Sequence, residues 1–379
     1  MRNTKHKNKI ILLFIFLFAI ISIVTISSAS TYLSPSLGNL ALKQLLWYGI
    51  SFILIFIIMK LKNDYIYHSA WFLYILCNLL LLCLLLFAPA INNSKCWFTI
   101  PGIGSFQPSE FMKISLILLL GVMINKFREK TDKPTLKEEF IFILKTLLIV
   151  LIPSVLTFLE PDTGAVIIYF VIYFFMMFAS GIRLRWFVIL GLLALAVVGF
   201  VLGTYFLNEN LFIQIFGNDL YYRLDRIFAW QDGNGLQLEN ALAAIGSAGV
   251  FGHGYNQTPI YFPESGTDFI FAVFASNFGL LGSLLLILLI ILFDCKLIHI
   301  ATKKIKPIDK FVLAGIIGML VFQQVQNIGM TIGLFPITGI TLPFISYGGS
   351  SLLSYMLMIG LIMNMQEEKY SYSIFKDAT

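Results

Sequence analysis

Charged residues are scarce in this chain, and so are the residues that suit a metal centre or a disulfide-rich domain. Only 12% of the 379 residues are charged, whereas 58% are hydrophobic. There are four histidines and four cysteines, and no His, Cys or Asp spacing resembles a metal site. Only Cys96 falls in a predicted outer loop, which excludes a disulfide between outer cysteines. A soluble domain is also excluded, because it could not bury so much apolar surface.

Long apolar runs make up most of the sequence, whose mean hydropathy is +0.87. About 20 apolar residues cross a bilayer as a helix, and only a helix satisfies the backbone of such a run in lipid. We therefore predict an all-α polytopic membrane protein that forms a single domain over residues 1–379. The ten predicted transmembrane spans are approximately residues 10–29, 42–59, 67–90, 108–125, 140–159, 163–181, 185–206, 268–294, 310–333 and 346–365.

The distribution of lysine and arginine predicts the orientation of these spans. With the N-terminus inside, twenty of the 26 basic residues lie on the inner side and five on the outer side. Cytoplasmic loops keep the excess of positive charge, so both termini are predicted to be cytoplasmic, with a cytoplasmic tail over about residues 366–379. The net charge of +6 then reflects anchoring to anionic membrane lipids and gives no indication of nucleic-acid binding.

One connection is much longer than the others and lies on the predicted outer side. It covers about residues 207–267, and a loop of that length in a compact bundle is usually functional or disordered. Its aromatic and aliphatic residues argue against disorder. We expect an ordered, large extracytoplasmic loop.

Polar residues at membrane depth collect in the outer half of the predicted bundle, which indicates one hydrophilic pocket near the outer leaflet. Asp268 is the most informative of them, because an acid at the mouth of a span costs free energy to desolvate. The other candidate pocket residues are Glu110, Lys113, Asp162, Arg223, Arg226, Glu264, Asn327 and Ser350.

Each candidate also has a purely structural interpretation. Asp268 is suitably placed to cap a helix. Glu110 and Lys113, three residues apart on one helical face, can form an ion pair that only holds the bundle together. Asn327 and its neighbouring glutamines can form hydrogen bonds between helices. Arg223 and Arg226 can anchor the outer loop to lipid phosphates.

Five blocks of sequence, in order along nearly the whole chain, resemble the SEDS family of bacterial shape, elongation, division and sporulation proteins (FtsW, RodA and SpoVE). These blocks are Phe106-Gln-Pro-Ser-Glu-Phe-Met-Lys113, Glu160-Pro-Asp-Thr-Gly164, Phe262-Pro-Glu-Ser-Gly-Thr-Asp-Phe-Ile-Phe271, Asn327-Ile-Gly-Met330 and Gly333-Leu-Phe-Pro-Ile-Thr-Gly-Ile-Thr-Leu-Pro-Phe-Ile-Ser-Tyr-Gly-Gly-Ser-Ser351.

The resemblance implies a peptidoglycan glycosyltransferase of the bacterial cytoplasmic membrane that polymerises lipid II at the outer face, for elongation, division or sporulation. It implies a class B penicillin-binding protein transpeptidase as partner. It places the family's essential loop aspartate at Asp268 and its membrane Glu/Lys pair at Glu110 and Lys113. The chain departs from the family pattern at Ser276 and Asn277, where acids are common, and at Thr258, where a lysine is common.

The expected chemistry is glycosyl transfer from a pyrophosphate donor, with Asp268 as general base on the acceptor GlcNAc 4-hydroxyl. We expect Arg223, Arg226 or Lys113 to bind the leaving pyrophosphate. The one cofactor expected to help them is a divalent cation, Mg²⁺ or Mn²⁺. A lipid-linked precursor flippase is the main alternative, although such transporters usually show an inverted repeat and a midplane site with broken helices. This sequence shows no convincing repeat, and its polar groups lie outward of the predicted midplane. A non-catalytic scaffold is the other alternative, because of the departures at residues 276 and 277.

Overall fold

The structure is a computed structural model that describes residues 2–30, 39–89, 95–100, 104–131, 133–229, 236–303 and 306–376. Helices dominate these ranges, as the composition predicts. The one strand pairing there is a short antiparallel hairpin of β1 (Phe98–Ile100) and β2 (Gly104–Phe106). The helices are α1 (Arg2–Ser30), α2 (Leu40–Lys60), α3 (Asn63–His68), α4 (Ala70–Phe87), α5 (Pro108–Lys130), α6 (Leu136–Leu159), α7 (Thr163–Ala179), α8 (Leu184–Leu207), α9 (Glu209–Phe216), α10 (Asn218–Ala229), α11 (Leu236–Ser247), α12 (Ile270–Ala301), α13 (Pro307–Thr331) and α14 (Gly349–Lys376).

Seven helices of the described ranges are long and apolar enough to cross a membrane: α1, α2, α4, α6, α8, α12 and α13. α7 is apolar but shorter, and α5 carries charged residues at both ends. Each predicted span coincides with a helix, although the third begins only at Ala70, after the separate helix α3. The chain is therefore a multi-pass membrane protein.

α5 and α13 form the centre of the bundle. α5 packs against α4, α7, α13 and α14, and α13 also packs against α7 and α12. Such surroundings suit a helix that is buried on all sides, and every residue of α5 from 112 to 121 is buried. Small residues allow the close contacts, since a β-carbon at Gly315 in α13 would lie 2.8 Å from Sδ of Met176 in α7.

α8 stands apart from this bundle. None of its 24 residues is buried in the protein, although it is among the most apolar of the spanning helices. Its start contacts the bundle, where Trp186 Nε1 donates a hydrogen bond of 2.8 Å to Glu139 in α6. Its end contacts α9 and α10, where the rings of Phe200 and Phe216 lie 6.3 Å apart and Tyr205 donates to Asp225 at 3.4 Å. At its other end the chain continues into the short helices α9 and α10.

The predicted large loop is ordered where it is described, since α9, α10 and α11 lie within residues 207–267. The predicted eighth span differs more from expectation. It begins at Ile270, extends to Ala301 and is broken at Gly279, whose φ of 66° and ψ of −163° are not helical. Ser276 and Asn277 interrupt the apolar pattern just before this break, but the sequence analysis predicted one continuous span over residues 268–294.

Candidate active site

Asp268 lies in a tight loop (residues 262–269, the Asp268 loop) that leads into α12. Two aromatic side chains, Phe262 and Phe269, are buried at its ends and fix it to the protein interior. Glu264 closes the turn, because its carbonyl accepts hydrogen bonds from the backbone N–H groups of Thr267 and Phe269. Its own carboxylate is exposed and accepts a 2.7 Å hydrogen bond from Thr267 Oγ1.

Three hydrogen bonds hold the backbone on either side of the Asp268 carboxylate. Ser346 Oγ donates to the Thr267 carbonyl at 2.7 Å, and Tyr347 N–H donates to the Gly266 carbonyl at 2.9 Å. Asn327 Nδ2, from α13, donates to both the Asp268 carbonyl and the Ile340 carbonyl at 2.8 Å. α13 and the loop that follows it (residues 332–348, the α13–α14 loop) therefore determine where the carboxylate lies.

The side chain of Asp268 has no such restraint. Within the described ranges no donor forms a hydrogen bond with its carboxylate, and the N-cap of α12 is Phe269, which has no side-chain capping bond. The interpretation of Asp268 as a helix cap is therefore wrong. Gly339 lies close to the carboxylate, since a β-carbon there would lie 3.6 Å from Asp268 Oδ2.

The protein environment raises the pKa of Asp268 above its ordinary value in water. The residue keeps partial contact with solvent, but the protein atoms packed around the carboxylate desolvate it. This desolvation, with smaller contributions from the charges of Glu264 and Asp162, raises the pKa of Asp268 to about 7. A carboxylate with a pKa near neutrality is suited to proton transfer at physiological pH.

A second acidic centre lies at the start of α5. Lys113 Nζ is 2.6 Å from Glu110 Oε2, and the Lys113 side chain is fully buried. Ser354 Oγ also donates to Glu110 at 3.3 Å, and the ring of Tyr355 lies 5.4 Å from Lys113 Nζ. The predicted Glu110–Lys113 pairing is present, and its enclosure favours the structural interpretation over a pyrophosphate contact at Lys113.

Asp162 joins this centre to α7. Its Oδ1 accepts a hydrogen bond from Ala165 N–H and caps α7. Its Oδ2 accepts hydrogen bonds from Gln107 Nε2 at 3.0 Å and from Ser109 Oγ at 3.1 Å. Burial raises its pKa despite these bonds. Ser350 completes the group, because its Oγ accepts a 3.0 Å hydrogen bond from Gln107 N–H.

The α13–α14 loop lies between the two acidic centres. Two adjacent residues in the middle of this loop make the contacts. Gly164 packs so closely on it that a β-carbon there would lie 2.7 Å from the Thr338 carbonyl, and a β-carbon at Gly339 would lie 3.6 Å from Asp268 Oδ2. Lys113 acts electrostatically on Asp162, and Asp162 and Glu264 act on Asp268. We call these acids, with Lys113 beside Glu110, the row; the single hydrophilic pocket remains a prediction.

Arg223 and Arg226 lie in α10, but their side chains fall outside the described part of the chain. The sequence also gave no reason to select Glu160, which is fully buried just before Asp162. Neither of its carboxyl oxygens has a hydrogen-bond partner among the described residues, and burial, together with the charge of Asp162, raises its pKa to about 8. An acid in a predicted turn normally suggests a solvated side chain, so only the packing could identify it.

Within the described ranges, no group of three or more His, Cys, Asp or Glu side chains is arranged to hold a metal ion. The acids of the row therefore do not form a recognisable Mg²⁺ or Mn²⁺ site by themselves. The reaction proposed for this site uses the protein's own side chains.

The geometry can be compared with known proteins. A family model described as "Cell cycle protein" (FtsW/RodA/SpoVE) matches residues 8–371. The chain belongs to the FtsW/RodA/SpoVE family. Among its relatives, the Bacillus subtilis (strain 168) "Stage V sporulation protein E" is 34% identical over 343 residues, covering 86% of each chain. The Coxiella burnetii "Probable peptidoglycan glycosyltransferase FtsW" is 36% identical over 304 residues, covering 76% of each.

Solved structures of FtsW/RodA/SpoVE-like chains agree with the fold. A chain from the structure reported as "Structural coordination of polymerization and crosslinking by a peptidoglycan synthase complex" superposes with a TM-score of 0.78 at 26% identity, covering 95% of this chain and 97% of that one. The Thermus thermophilus rod shape determining protein RodA superposes with a TM-score of 0.68 at 26% identity, covering 95% and 96%.

Proposed function

We propose that this protein is a peptidoglycan glycosyltransferase that polymerises lipid II into glycan strands at the outer face of the bacterial cytoplasmic membrane. Family membership and the activity for which its relatives are named support this reaction class. The observation that carries the proposal is the Asp268 carboxylate, which is fixed through its backbone, free of hydrogen bonds from described residues and shifted to a pKa of about 7.

In the proposed reaction, Asp268 accepts the proton of the acceptor GlcNAc 4-hydroxyl as that oxygen attacks the donor anomeric carbon. The new bond joins the acceptor oxygen to that carbon, and the bond that breaks joins the same carbon to the pyrophosphate of the undecaprenyl carrier. Attack from the opposite side inverts the anomeric centre. Pyrophosphate leaves without being protonated, so one carboxylate suffices, in contrast to the acid–base pair of glycosidases.

The departing pyrophosphate needs cationic partners. Lys113 is buried and paired with Glu110, so we assign this role to Arg223 and Arg226 of α10. Glu264, exposed beside Asp268, and Asn327 and Ser350, which fix the loops around the acids, complete the proposed site. A divalent cation that would offset the charge of the departing pyrophosphate is a subsidiary proposal, and comparing rates with and without EDTA tests it.

The proposed topology has ten spans, formed by α1, α2, α4, α5, α6, α7, α8, α12, α13 and α14, with both termini in the cytoplasm. The excess of basic residues on the predicted inner side supports it. This topology places Asp162, Asp268 and residues 207–267 on the outer side, where lipid II would be presented. The partner we propose is a class B penicillin-binding protein transpeptidase, because a similar chain belongs to a solved peptidoglycan synthase complex.

The decisive experiment places the purified protein in liposomes with lipid II on one side, alone and with candidate transpeptidases. We expect glycan strands on a gel. Movement of lipid II across the bilayer without strands would identify the flippase alternative. The absence of both, with every transpeptidase, would favour a non-catalytic scaffold.

A further inference from the structure

The break in α12 is stabilised by a specific segment of the outer loop (residues 249–254, the clasp). Breaking a helix at membrane depth frees backbone N–H and C=O groups, which must find partners elsewhere in the protein. His253 and Gly254 donate to the carbonyls of Ser276 and Asn277 at 2.9 and 3.0 Å. Leu280 and Leu281 donate to the clasp carbonyls of Gly249 and Val250 at 3.0 and 3.1 Å. Both ends of the break are therefore satisfied by the same segment.

Two glycines allow this contact. A β-carbon at Gly252 would overlap the Asn277 carbonyl, and a β-carbon at Gly279 would overlap the Gly252 backbone. Both glycines also have positive φ values, 81° and 66°, which other residues adopt only with strain. The local sequence is thus specialised for a break at this position.

Three buried side chains connect the break to the rest of the protein. Thr258 Oγ1 donates to Asn277 Oδ1 at 2.9 Å, and Asn277 Nδ2 donates to Ser28 Oγ of α1 at 2.6 Å. Their exposed fractions are 3%, 1% and 0% for Thr258, Asn277 and Ser28. We call this network the Asn277 lock. It holds the clasp side of the loop, α12 and α1 together.

The lock is mechanically connected to Asp268. The first segment of α12 (residues 270–278) begins two residues after Asp268 and ends at the break. Every residue from 270 to 277 is buried, so the segment is held on all sides as a rigid rod of about 12 Å at 1.5 Å per residue. A rotation at the Asn277 end would therefore displace the carboxylate at the other end.

We infer that Asn277, Thr258 and Ser28 are positioning residues that orient Asp268 through the first segment of α12. This inference rests on the proposed function only for its kinetic readout.

The main test compares Asn277→Ala and Thr258→Val with Thr258→Ser, which keeps the hydroxyl. The matched control is Asn364→Ala. Asn364 is a buried asparagine in α14 that donates to the Ile58 and Leu61 carbonyls at 2.8 and 2.7 Å, far along the sequence from the lock. The full-length proteins would be assayed for lipid II polymerisation over a range of pH, with the transpeptidase partner if wild type requires it, and for hydrogen–deuterium exchange.

A displacement of about 1 Å at a reacting group can lower the rate by about 10²-fold. We expect kcat to fall by up to about 10²-fold in Asn277→Ala and less in Thr258→Val, with KM nearly unchanged and Thr258→Ser close to wild type. Loosening the first segment of α12 should hydrate Asp268 and lower its pKa. The acid limb of the pH–rate profile should therefore move to lower pH. The amides of Thr267 and Phe269 should exchange faster. Asn364→Ala should show none of these three changes.

A second test introduces charges at the contact between residues 258 and 277. Thr258→Lys and Asn277→Glu each bury one unpaired charge and should lower activity and thermal stability. Because the two positions are in contact, the double variant should recover a large part of both losses. A double variant no better than the worse single variant would contradict this coupling within the Asn277 lock.

The outcomes separate this inference from the proposed function. If the wild type is active but the lock variants match Asn364→Ala in kcat, pH profile and exchange at residues 267 and 269, the inference alone is overturned. An inactive wild type overturns the proposed function. The exchange data then still decide whether the lock orders the Asp268 loop, with unchanged exchange counting against it.

Discussion

Asp268 and Glu110 are acids of the same outer region with opposite electrostatic surroundings. Glu110 lies against the ammonium group of Lys113, at 2.6 Å, and accepts a further hydrogen bond from Ser354. Asp268 has no cation beside it in the described ranges, and the charges that act on it are those of other acids. Glu110 is thus held by an ion pair with a buried cation. The unpaired carboxylate can exchange a proton at little cost, which is the property that a general base requires.

The largest effect expected from this contrast is on the reaction rate. Asp268→Asn preserves the shape of the side chain but cannot accept the proton, so polymerisation should fall by about 10²–10⁴-fold. Strand formation from lipid II by the purified variant measures this loss.

The control is Asp64→Asn, the same chemical change in an exposed ion pair with Lys306. Surface pairs contribute only about 0–1 kcal/mol, so this variant should polymerise at the wild-type rate. A wild-type rate in Asp268→Asn would remove this residue from the chemistry.

The second effect separates stability from rate. Glu110→Gln or Lys113→Met alone leaves an unpaired buried charge or polar group, which typically costs about 3–5 kcal/mol. We expect each single variant to unfold at clearly lower temperature in detergent, and the double variant to lose less than the sum of the two. Additive losses would show that the pair is not a coupled unit.

The sequence predicted much of this contrast, for identifiable reasons. Helical spacing placed Glu110 and Lys113 on one face. The apolar runs located each helix, although α1 begins eight residues before its predicted span and α14 ends eleven residues after its own. The environment of Asp268 was not predictable, because Asn327, Ser346 and Gly339 approach it from the end of another helix and from a loop more than 50 residues away. The break at Gly279 was missed for a similar reason, since its partners lie in the clasp.

The smallest effect concerns pH. Asp268 must be ionised to act as a base, and its pKa is raised to about 7, so the rate should rise with pH through about 7 and level off above it. The charge of Asp162 contributes to this raised pKa. Asp162→Asn should therefore move the acid limb to lower pH, and a shift to higher pH would contradict the proposed coupling between the two acids.

The isolation of α8 has a consequence for how the protein should be handled. Since none of its side chains is buried by the rest of the chain, the bilayer sets the tilt and depth of this helix more than neighbouring helices do. Acyl-chain length should then influence α8 more than the tightly packed α5 or α13. Preparations in short-chain detergent and in native-thickness nanodiscs would be expected to differ most at this one helix.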